Sequence, residues 1–307
     1  MKCRHCASPL SLRLIDLGSV PPSNAYVKRD QLEAPEKRYP LSVMVCEGCW
    51  LVQTQDFAEA GELFASDYAY FSSFSDGWLT HAERYVVDMI QHFQLGPDSH
   101  VVEVASNDGY LLQYVQSRGI KCTGIEPTAS TATVARAKGI ETIEEFFGAA
   151  LASRLVAEGL RADLVVANNV LAHVPDINDF VRGFEVLLEP HGVATFEFPH
   201  LSRLIAGNQF DTIYHEHFSY LSLTTTQRIF SANGLSLFDV EELPTHGGSL
   251  RVYAQKSSTG TREVTASVDA LLAREEDDGV ESASYYAGFQ AAAETVRDDF
   301  SHFLMES

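Results

Sequence analysis

The chain has 307 residues, of which 45% are hydrophobic and 21% are charged, a balance typical of a globular protein with one large core or two to three smaller ones. Its 42 acidic and 22 basic residues give a formal net charge of −20, which opposes binding to a nucleic acid polymer. No apolar run approaches the roughly 18–20 residues that span a bilayer, and no apolar N-terminal segment indicates a secretory signal. We therefore expect no membrane partner and a cytoplasmic location.

Four of the five cysteines form two close pairs, Cys3 with Cys6 and Cys46 with Cys49. The gap of two residues within each pair allows a tight knuckle to direct both thiolates at one ion, and two knuckles complete a tetrahedral zinc site. Four protein ligands leave no position for water, so the zinc is expected to be structural. The alternatives are a redox dithiol or coincidental spacing. We assign residues 1–62 to a zinc-binding domain, in which YPLSVMVCEGCWLVQT predicts a strand, the second knuckle and another strand.

Residues 63–97 are predicted to form an aromatic and helical linker. Its first part, DYAYFSSFSD, has no clean period, and Tyr68 within it is a candidate aromatic donor that covers the site, with ordinary packing as the alternative. The following GWLTHAERYVVDMIQHF has apolar residues at helical spacing and predicts a helix.

Short apolar strands alternate with helical segments through most of residues 98–256. This pattern predicts an α/β fold with a Rossmann-like, doubly wound parallel sheet, whose ligands bind beyond the carboxyl ends of the strands. The segment ASYYAGFQAAAETVRDDFSHFLMES then predicts a long helix within residues 257–307, which we expect to be an incomplete C-terminal region.

The turn after the first strand of this sheet, EVASNDGYL, is poor in glycine for a dinucleotide site. Only Gly109 remains, and Asp108 would repel a pyrophosphate at the helix N-terminus. S-adenosylmethionine carries a sulfonium and an ammonium instead of phosphate and suits an acidic turn better; the alternative is a fold without a bound cofactor. The candidate cofactor-binding residues are Glu103, Asn107, Gly109, Glu126 and Asn168, with Glu126 placed to accept the hydroxyl protons of a ribose. Phe146 is a possible neighbour of the adenine or, equally, an aromatic residue of the core.

The order of several motifs resembles the family of sugar C-methyltransferases, which act on nucleotide-linked keto-deoxysugars. After the zinc module these motifs are YAYFSSFSD, VVEVASNDGYLL, GIEPT, ANNVLAHVPD, YHEHFSYLS and HGGSLRVY. The resemblance implies an S-adenosylmethionine-dependent enzyme with a structural zinc and a nucleotide-diphosphate keto-sugar substrate, dTDP-linked by preference. Family members usually continue into a further C-terminal lobe, of which residues 257–307 would be the start.

C-methylation of a sugar requires a base near the ring carbon beside the ketone and donors near the developing enolate oxygen. The segment TIYHEHF offers these groups. An extended segment would place Tyr214 and Glu216 on one side, whereas a helical start would bring Tyr214 and His217 together. The resemblance favours His217 as the base, with Tyr214 and Glu216 as helpers and His215 as a structural residue. His173, after the strand ADLVVANNV, is a second acid–base or cofactor candidate, or a helix cap.

Two other functions remain open from the residues alone. A metal enzyme could use the His-x-His pair with Glu216, or a zinc-ribbon interaction module could be attached to a methyltransferase fold without activity. Arg251, beside the Gly-Gly turn, could meet a phosphate, although a tight turn before a strand explains the glycines equally well; Lys28 and Arg29 are further anion candidates. The oligomeric state is left open, and a monomer is compatible with the sequence.

Overall fold

The computed structural model describes residues 1–24, 26–55 and 70–306. Three antiparallel strands follow the N-terminus: β1 (Leu12–Val20), β2 (Tyr39–Val45) and β3 (Val52–Thr54). β2 and β3 flank the second cysteine pair, as predicted. Their alternating apolar residues bury a small core around Ile15 and Val43.

The remaining strands are β4 (His100–Val104), β5 (Lys121–Ile125), β6 (Glu141–Ile143), β7 (Ala162–Asn168), β8 (Leu188–Pro199), β9 (Ser219–Tyr220), β10 (Leu235–Leu243) and β11 (Ser249–Lys256). All except β9 form a sheet of order β10-β11-β8-β7-β4-β5-β6. The strands from β4 to β8 are parallel, whereas β11 runs antiparallel to both neighbours. The predicted doubly wound sheet is confirmed, with an antiparallel hairpin at one edge.

The helices are α1 (Asp76–Phe93), α2 (Leu112–Gln116), α3 (Ala129–Ala137), α4 (Ala149–Ala157), α5 (Ile177–Leu187), α6 (Leu201–Ala206), α7 (Leu223–Ala232), α8 (Ala266–Asp278), α9 (Ala283–Tyr286) and α10 (Phe289–Glu306). The predicted linker helix is α1, and the Ser75 side chain caps its first turn by accepting from the Trp78 amide. The predicted long C-terminal helix is divided into α9 and α10 at Gly288, which has a φ of 91°. No helix in the described part of the chain is long and apolar enough to cross a bilayer.

Helices cover both faces of the large sheet. α1 and α2 pack on one face, where Val101 and Leu164 point, and α4, α5 and α7 pack on the other, where Val102 and Val165 point. The chain leaves β4 and β7 towards opposite sides, so a crevice opens between their carboxyl ends. β9 lies apart from this sheet: it pairs with β3 and is the fourth strand of the N-terminal sheet.

Candidate functional site

The four N-terminal cysteines converge on one point. The sulfurs of Cys3 and Cys49 are 3.6 Å apart, those of Cys6 and Cys46 are 3.5 Å apart, and all four lie within 4.8 Å of one another. A tetrahedral zinc ion with about 2.3 Å to each sulfur separates its ligands by about 3.8 Å, so small shifts of the side chains bring all four sulfurs to one ion.

The convergence has a local cause in the backbone after each pair. Ala7 and Trp50, which follow the second cysteine of each pair, have φ values of 61° and 65°. Their amides donate to the carbonyls of Cys3 and Cys46 at 3.0 and 2.7 Å. Both knuckles are therefore the same turn, which aims two sulfurs in one direction.

The turn between β4 and α2 alternates left-handed residues at Ala105, Asn107 and Gly109, with φ values of 57°, 50° and 75°. Positive φ in side-chain-bearing residues is costly and concentrates at functional sites. At Gly109 a Cβ atom would come within 2.4 Å of Ile140 Cδ1, and the amide already donates to the Ser106 carbonyl at 3.0 Å. The positive φ and the nearby Ile140 side chain thus favour glycine here, independently of any cofactor.

Two of the predicted cofactor residues hold this turn in place. The Glu126 carboxylate, at the end of β5, accepts from the amides of Asn107 and Thr128, each at 2.9 Å. The Asn107 side chain accepts from the Ser72 amide at 2.9 Å and donates to the Tyr70 carbonyl at 3.1 Å. The carboxylate keeps lone pairs for a ribose, whereas the Asn107 side chain is bound to the segment before α1. Cofactor contact by Asn107 stays a prediction.

Buried polar atoms with few or no hydrogen-bond partners among the described residues collect around the ends of β4 and β7. Ser106 Oγ and Asp108 Oδ1 have none, and the carboxylate of Glu103 and the amide of Asn168 share only the Tyr110 hydroxyl. Such atoms are normally paired, so their concentration here indicates a ligand with several polar groups. The ammonium and hydroxyl groups of S-adenosylmethionine fit this set of carboxylates, amide and hydroxyl.

Tyr214 and His217 meet across a turn in which the His217 amide donates to the Tyr214 carbonyl at 3.0 Å. The Tyr214 hydroxyl lies 2.8 Å from His217 Nε2, and His217 Nδ1 lies 3.0 Å from the Thr212 carbonyl. A carbonyl only accepts, so Nδ1 carries the proton and Nε2 receives the hydrogen bond of Tyr214. The turn therefore joins the two side chains, as the helical alternative would have done.

This Tyr214–His217 pair is neutral. Burial lowers the pKa of His217 well below its ordinary value, and the neighbouring His173 adds to the effect. Burial lowers the pKa of His173 to about 4, although a hydrogen bond to the Glu216 backbone raises it. The rings of His173 and His217 meet edge to face with centroids 4.7 Å apart. Burial also raises the pKa of Tyr214, so its hydroxyl keeps its proton.

The two residues between Tyr214 and His217 point elsewhere. His215 Nε2 lies 3.3 Å from the carbonyls of both Tyr39 and Pro40, so it bonds to β2 as a structural residue. The Glu216 carboxylate accepts from Asn24 Nδ2 at 2.6 Å and from Ser23 Oγ at 3.3 Å.

These orientations contradict a metal site at the His-x-His pair. The imidazoles of His215 and His217 bond to different carbonyls. Within the ranges that the structure describes, the four cysteines are the one group arranged to hold a metal ion.

Three family models match the chain in succession. "Putative zinc binding domain" matches residues 3–64, "Methyltransferase domain" matches residues 78–240, and "C-methyltransferase C-terminal domain" matches residues 244–307. C-methyltransferase NovU from Streptomyces niveus is 33% identical over 296 residues, which cover 96% of this chain and 70% of that protein. The chain belongs to the C-methyltransferase family. It is an S-adenosylmethionine-dependent methyltransferase, and its four cysteines form a structural zinc site.

Two further relatives concern the central domain of this C-methyltransferase. The ubiquinone biosynthesis O-methyltransferase of Methylobacterium sp. (strain 4-46) is 31% identical over 104 residues, which cover 32% of this chain and 42% of that protein. The crystal structure of the PH0226 protein from Pyrococcus horikoshii OT3 has a TM-score of 0.51 at 14% identity, covering 66% of this chain and all of that chain. The second similarity shows the Rossmann-like methyltransferase fold.

We predict that Glu103 links cofactor binding by the C-methyltransferase to proton release. Burial raises the pKa of Glu103 well above its ordinary value; a hydrogen bond from Tyr110 opposes this rise, and the charges of Glu126 and Asp108 add to it. A bound cation favours the ionised carboxylate. Binding of the cationic cofactor is therefore expected to release a proton, and its affinity to increase as the pH rises towards the pKa of Glu103.

We expect Glu103→Gln to weaken S-adenosylmethionine binding about 10–100-fold, because a charge-assisted contact becomes neutral. Calorimetry in buffers of different ionisation enthalpy should detect proton release in the wild type and not in this variant. Glu263→Gln, which removes an exposed carboxylate, is the matched control and should bind as the wild type does. Equal affinities in the Glu103 variant and the wild type at every pH would contradict the assignment.

Tyr68, the predicted aromatic donor, lies outside the described residues. Tyr70, which sequence reasoning missed, contributes to the raised pKa of Tyr214, and its carbonyl is held by Asn107. Both tyrosines belong to the motif DYAYF, so the sequence contained the signal, but it did not show which of the two rings lies close enough to Tyr214 to influence it. Phe146 is 60% exposed and is therefore not a core residue.

Arg251, a candidate for phosphate contact, lies among acidic side chains. Its buried guanidinium forms ion pairs with Glu197 at 3.0 Å and Glu241 at 3.3 Å. Burial alone would raise the pKa of Glu197, but His81, at 2.9 Å, and Arg251 outweigh it and hold the pKa below its ordinary value. A glutamate inside the apolar strand TFEFP was a sequence signal for such a buried network.

Proposed function

We propose that this C-methyltransferase methylates the ring carbon adjacent to the ketone of a nucleotide-diphosphate keto-deoxysugar, dTDP-linked by preference. The observation that carries the proposal is the neutral Tyr214–His217 pair with its unprotonated Nε2. Methyl transfer to carbon needs a carbon nucleophile, and a carbon beside a ketone becomes one by losing a proton to a base. The nucleotide and sugar come from the resemblance to sugar C-methyltransferases.

S-adenosylmethionine, when bound, supplies an electrophilic methyl group. In the proposed reaction His217 Nε2 accepts the hydroxyl proton of Tyr214 while the Tyr214 oxygen accepts the proton of the ring carbon. The products of this step are an enolate, a neutral tyrosine and an imidazolium. The carbon–carbon bond then forms as the sulfur–methyl bond breaks. Tyr214 is given this relay role because its hydroxyl is hydrogen-bonded to Nε2, the nitrogen that would otherwise accept the proton directly.

The other predicted catalytic residues support this pair in the proposal. His173 contacts the His217 ring and the Glu216 backbone, so it keeps the turn closed while remaining neutral itself. Glu216 binds the loop at Asn24. Tyr68 and its neighbour Tyr70 are proposed as donors to the enolate oxygen or a sugar hydroxyl.

The test is hydrogen exchange in deuterium oxide. The enzyme, with S-adenosylhomocysteine in the cofactor site, is incubated with a panel of dTDP- and GDP-linked keto-deoxysugars. We expect deuterium at the carbon beside the ketone of one member, and methyl uptake by the same compound when S-adenosylmethionine is supplied. An absence of both reactions across the panel would overturn the proposed substrate class, and an absence of S-adenosylmethionine binding would favour an inactive methyltransferase fold.

As the pH is lowered, the rate of hydrogen exchange should fall only below pH 6.5, the ordinary histidine pKa, because burial lowers the pKa of His217. The base is then unprotonated throughout the neutral range and loses activity only when it is protonated in acid. The rate is measured against pH, with circular dichroism at each pH to separate inactivation from unfolding. A fall centred at or above pH 6.5 would contradict a buried His217 as the base.

A further inference from the structure

The catalytic turn, defined as Tyr214–Phe218, is held partly from outside the methyltransferase domain. His215 and Glu216 bond to residues of β2 and of the loop after β1, and the Arg4 guanidinium lies 5.2 Å above the Phe218 ring. The methyltransferase domain contacts the turn as well, through the Ala172 carbonyl, which accepts from the Phe218 amide at 2.8 Å, and through the His173 ring.

Thr54 holds the backbone of this turn directly. Its hydroxyl donates to the His217 carbonyl at 3.0 Å, and its amide donates to the Phe218 carbonyl at 3.2 Å. Thr54 is buried and is the last residue of β3. Gln53, which precedes it, pairs with Ser219, which follows Phe218 and begins β9. Two adjacent carbonyls are thus fixed by one residue of the other domain.

A short series of contacts joins Thr54 to the zinc site. Gln53, its neighbour, donates from Nε2 to the Cys3 sulfur at 3.2 Å and accepts from the Arg4 amide at 3.0 Å. Arg4 in turn donates to the Thr54 carbonyl at 3.0 Å. The first knuckle, β3 and the catalytic turn are therefore one hydrogen-bonded unit.

We propose that Thr54 is a positioning residue for methyl transfer, through which the zinc-binding domain sets the place of His217. This inference rests on the proposed role of His217 as the base. Thr212 and the edge of His173 orient the His217 ring, so the main freedom left to the ring is displacement together with the backbone of the turn. The hydroxyl of Thr54 restricts that displacement, and a shift of about 1 Å in a reacting group can cost on the order of 100-fold in rate.

The test compares Thr54→Val, Thr54→Ser and Thr226→Val. Valine keeps the volume and the amide of Thr54 but removes its hydroxyl, whereas serine keeps the hydroxyl. Thr226 is the matched control, because its hydroxyl is equally buried and bonds to the Ser222 carbonyl at 2.7 Å inside α7.

We expect Thr54→Val to lower the exchange rate and kcat together by about 10–100-fold while the Kd of S-adenosylmethionine is unchanged. Thr54→Ser should restore most of the rate, and Thr226→Val should lose thermal stability without losing exchange. In the ligand-free enzyme, nitrogen-15 spectra of labelled histidine should show the His217 imidazole shifted in Thr54→Val and unshifted in the control.

Equal exchange rates in Thr54→Val and Thr226→Val, with an unshifted His217 resonance, would overturn the positioning role. If the wild type exchanges none of the keto-sugars, the proposed function fails, but the imidazole spectra still decide whether Thr54 positions His217. The two failures are therefore distinguishable.

Discussion

Replacing His217 by asparagine is expected to lower methyl transfer about 10²–10⁴-fold, the range attributed to general base catalysis. Asparagine can keep a hydrogen bond towards the Thr212 carbonyl but has no basic nitrogen to receive the Tyr214 proton. Binding at the predicted S-adenosylmethionine site, around the ends of β4, β5 and β7, should be unaffected. The measurements are the exchange rate in deuterium oxide, kcat for methyl transfer, and the Kd of the cofactor.

Two variants make the His217 result specific. His191→Asn makes the same substitution at an exposed position of β8 and should behave as the wild type. Tyr214→Phe removes the relay and leaves the imidazole, so it should also lose exchange. Wild-type exchange in His217→Asn would exclude His217 as the base, and wild-type exchange in Tyr214→Phe would show that the substrate reaches Nε2 without a relay.

Local sequence patterns were sufficient for features that depend on neighbours along the chain. The two-residue gaps of the cysteine pairs fix two identical knuckles, and the helical spacing of Ala82, Tyr85 and Val86 fixes the buried face of α1. The strands β4, β5, β7 and β8 were recognisable from their apolar runs. β6 was missed because three residues, Glu141–Ile143, are too few to show a period.

Contacts between distant segments could not be read from these patterns. Nothing near Asn107 reveals that its side chain binds the segment at Tyr70, and nothing near Thr54 reveals that β9 will pair beside it. His215 and His217 have the spacing of a metal-binding pair. Only the fold shows that the His215 imidazole bonds to β2 and the His217 imidazole bonds to the Thr212 carbonyl. Candidate residues could thus be named from the sequence, whereas their partners required the tertiary structure.

The zinc ion is expected to be necessary for methyl transfer and dispensable for cofactor binding. In Cys49→Ser the ion loses a buried thiolate ligand that lies 3.6 Å from Cys3. Structural zinc contributes about 10–16 kcal/mol in small domains, more than the core of a module of this size supplies. The N-terminal sheet should unfold, and the catalytic turn should lose the bonds from Thr54 and Asn24.

The cofactor turn should survive this loss, because Glu126 and Thr128 hold it within the large sheet and that sheet has its own cores. We therefore expect Cys49→Ser to lose zinc and kcat while its Kd for S-adenosylmethionine changes little. Cys122→Ser, the same substitution at a half-buried cysteine outside the site, should keep the ion and the activity. Parallel loss of cofactor binding and methyl transfer in Cys49→Ser would mean that the two domains fold as one unit, and full activity without zinc would remove the link between the knuckles and His217.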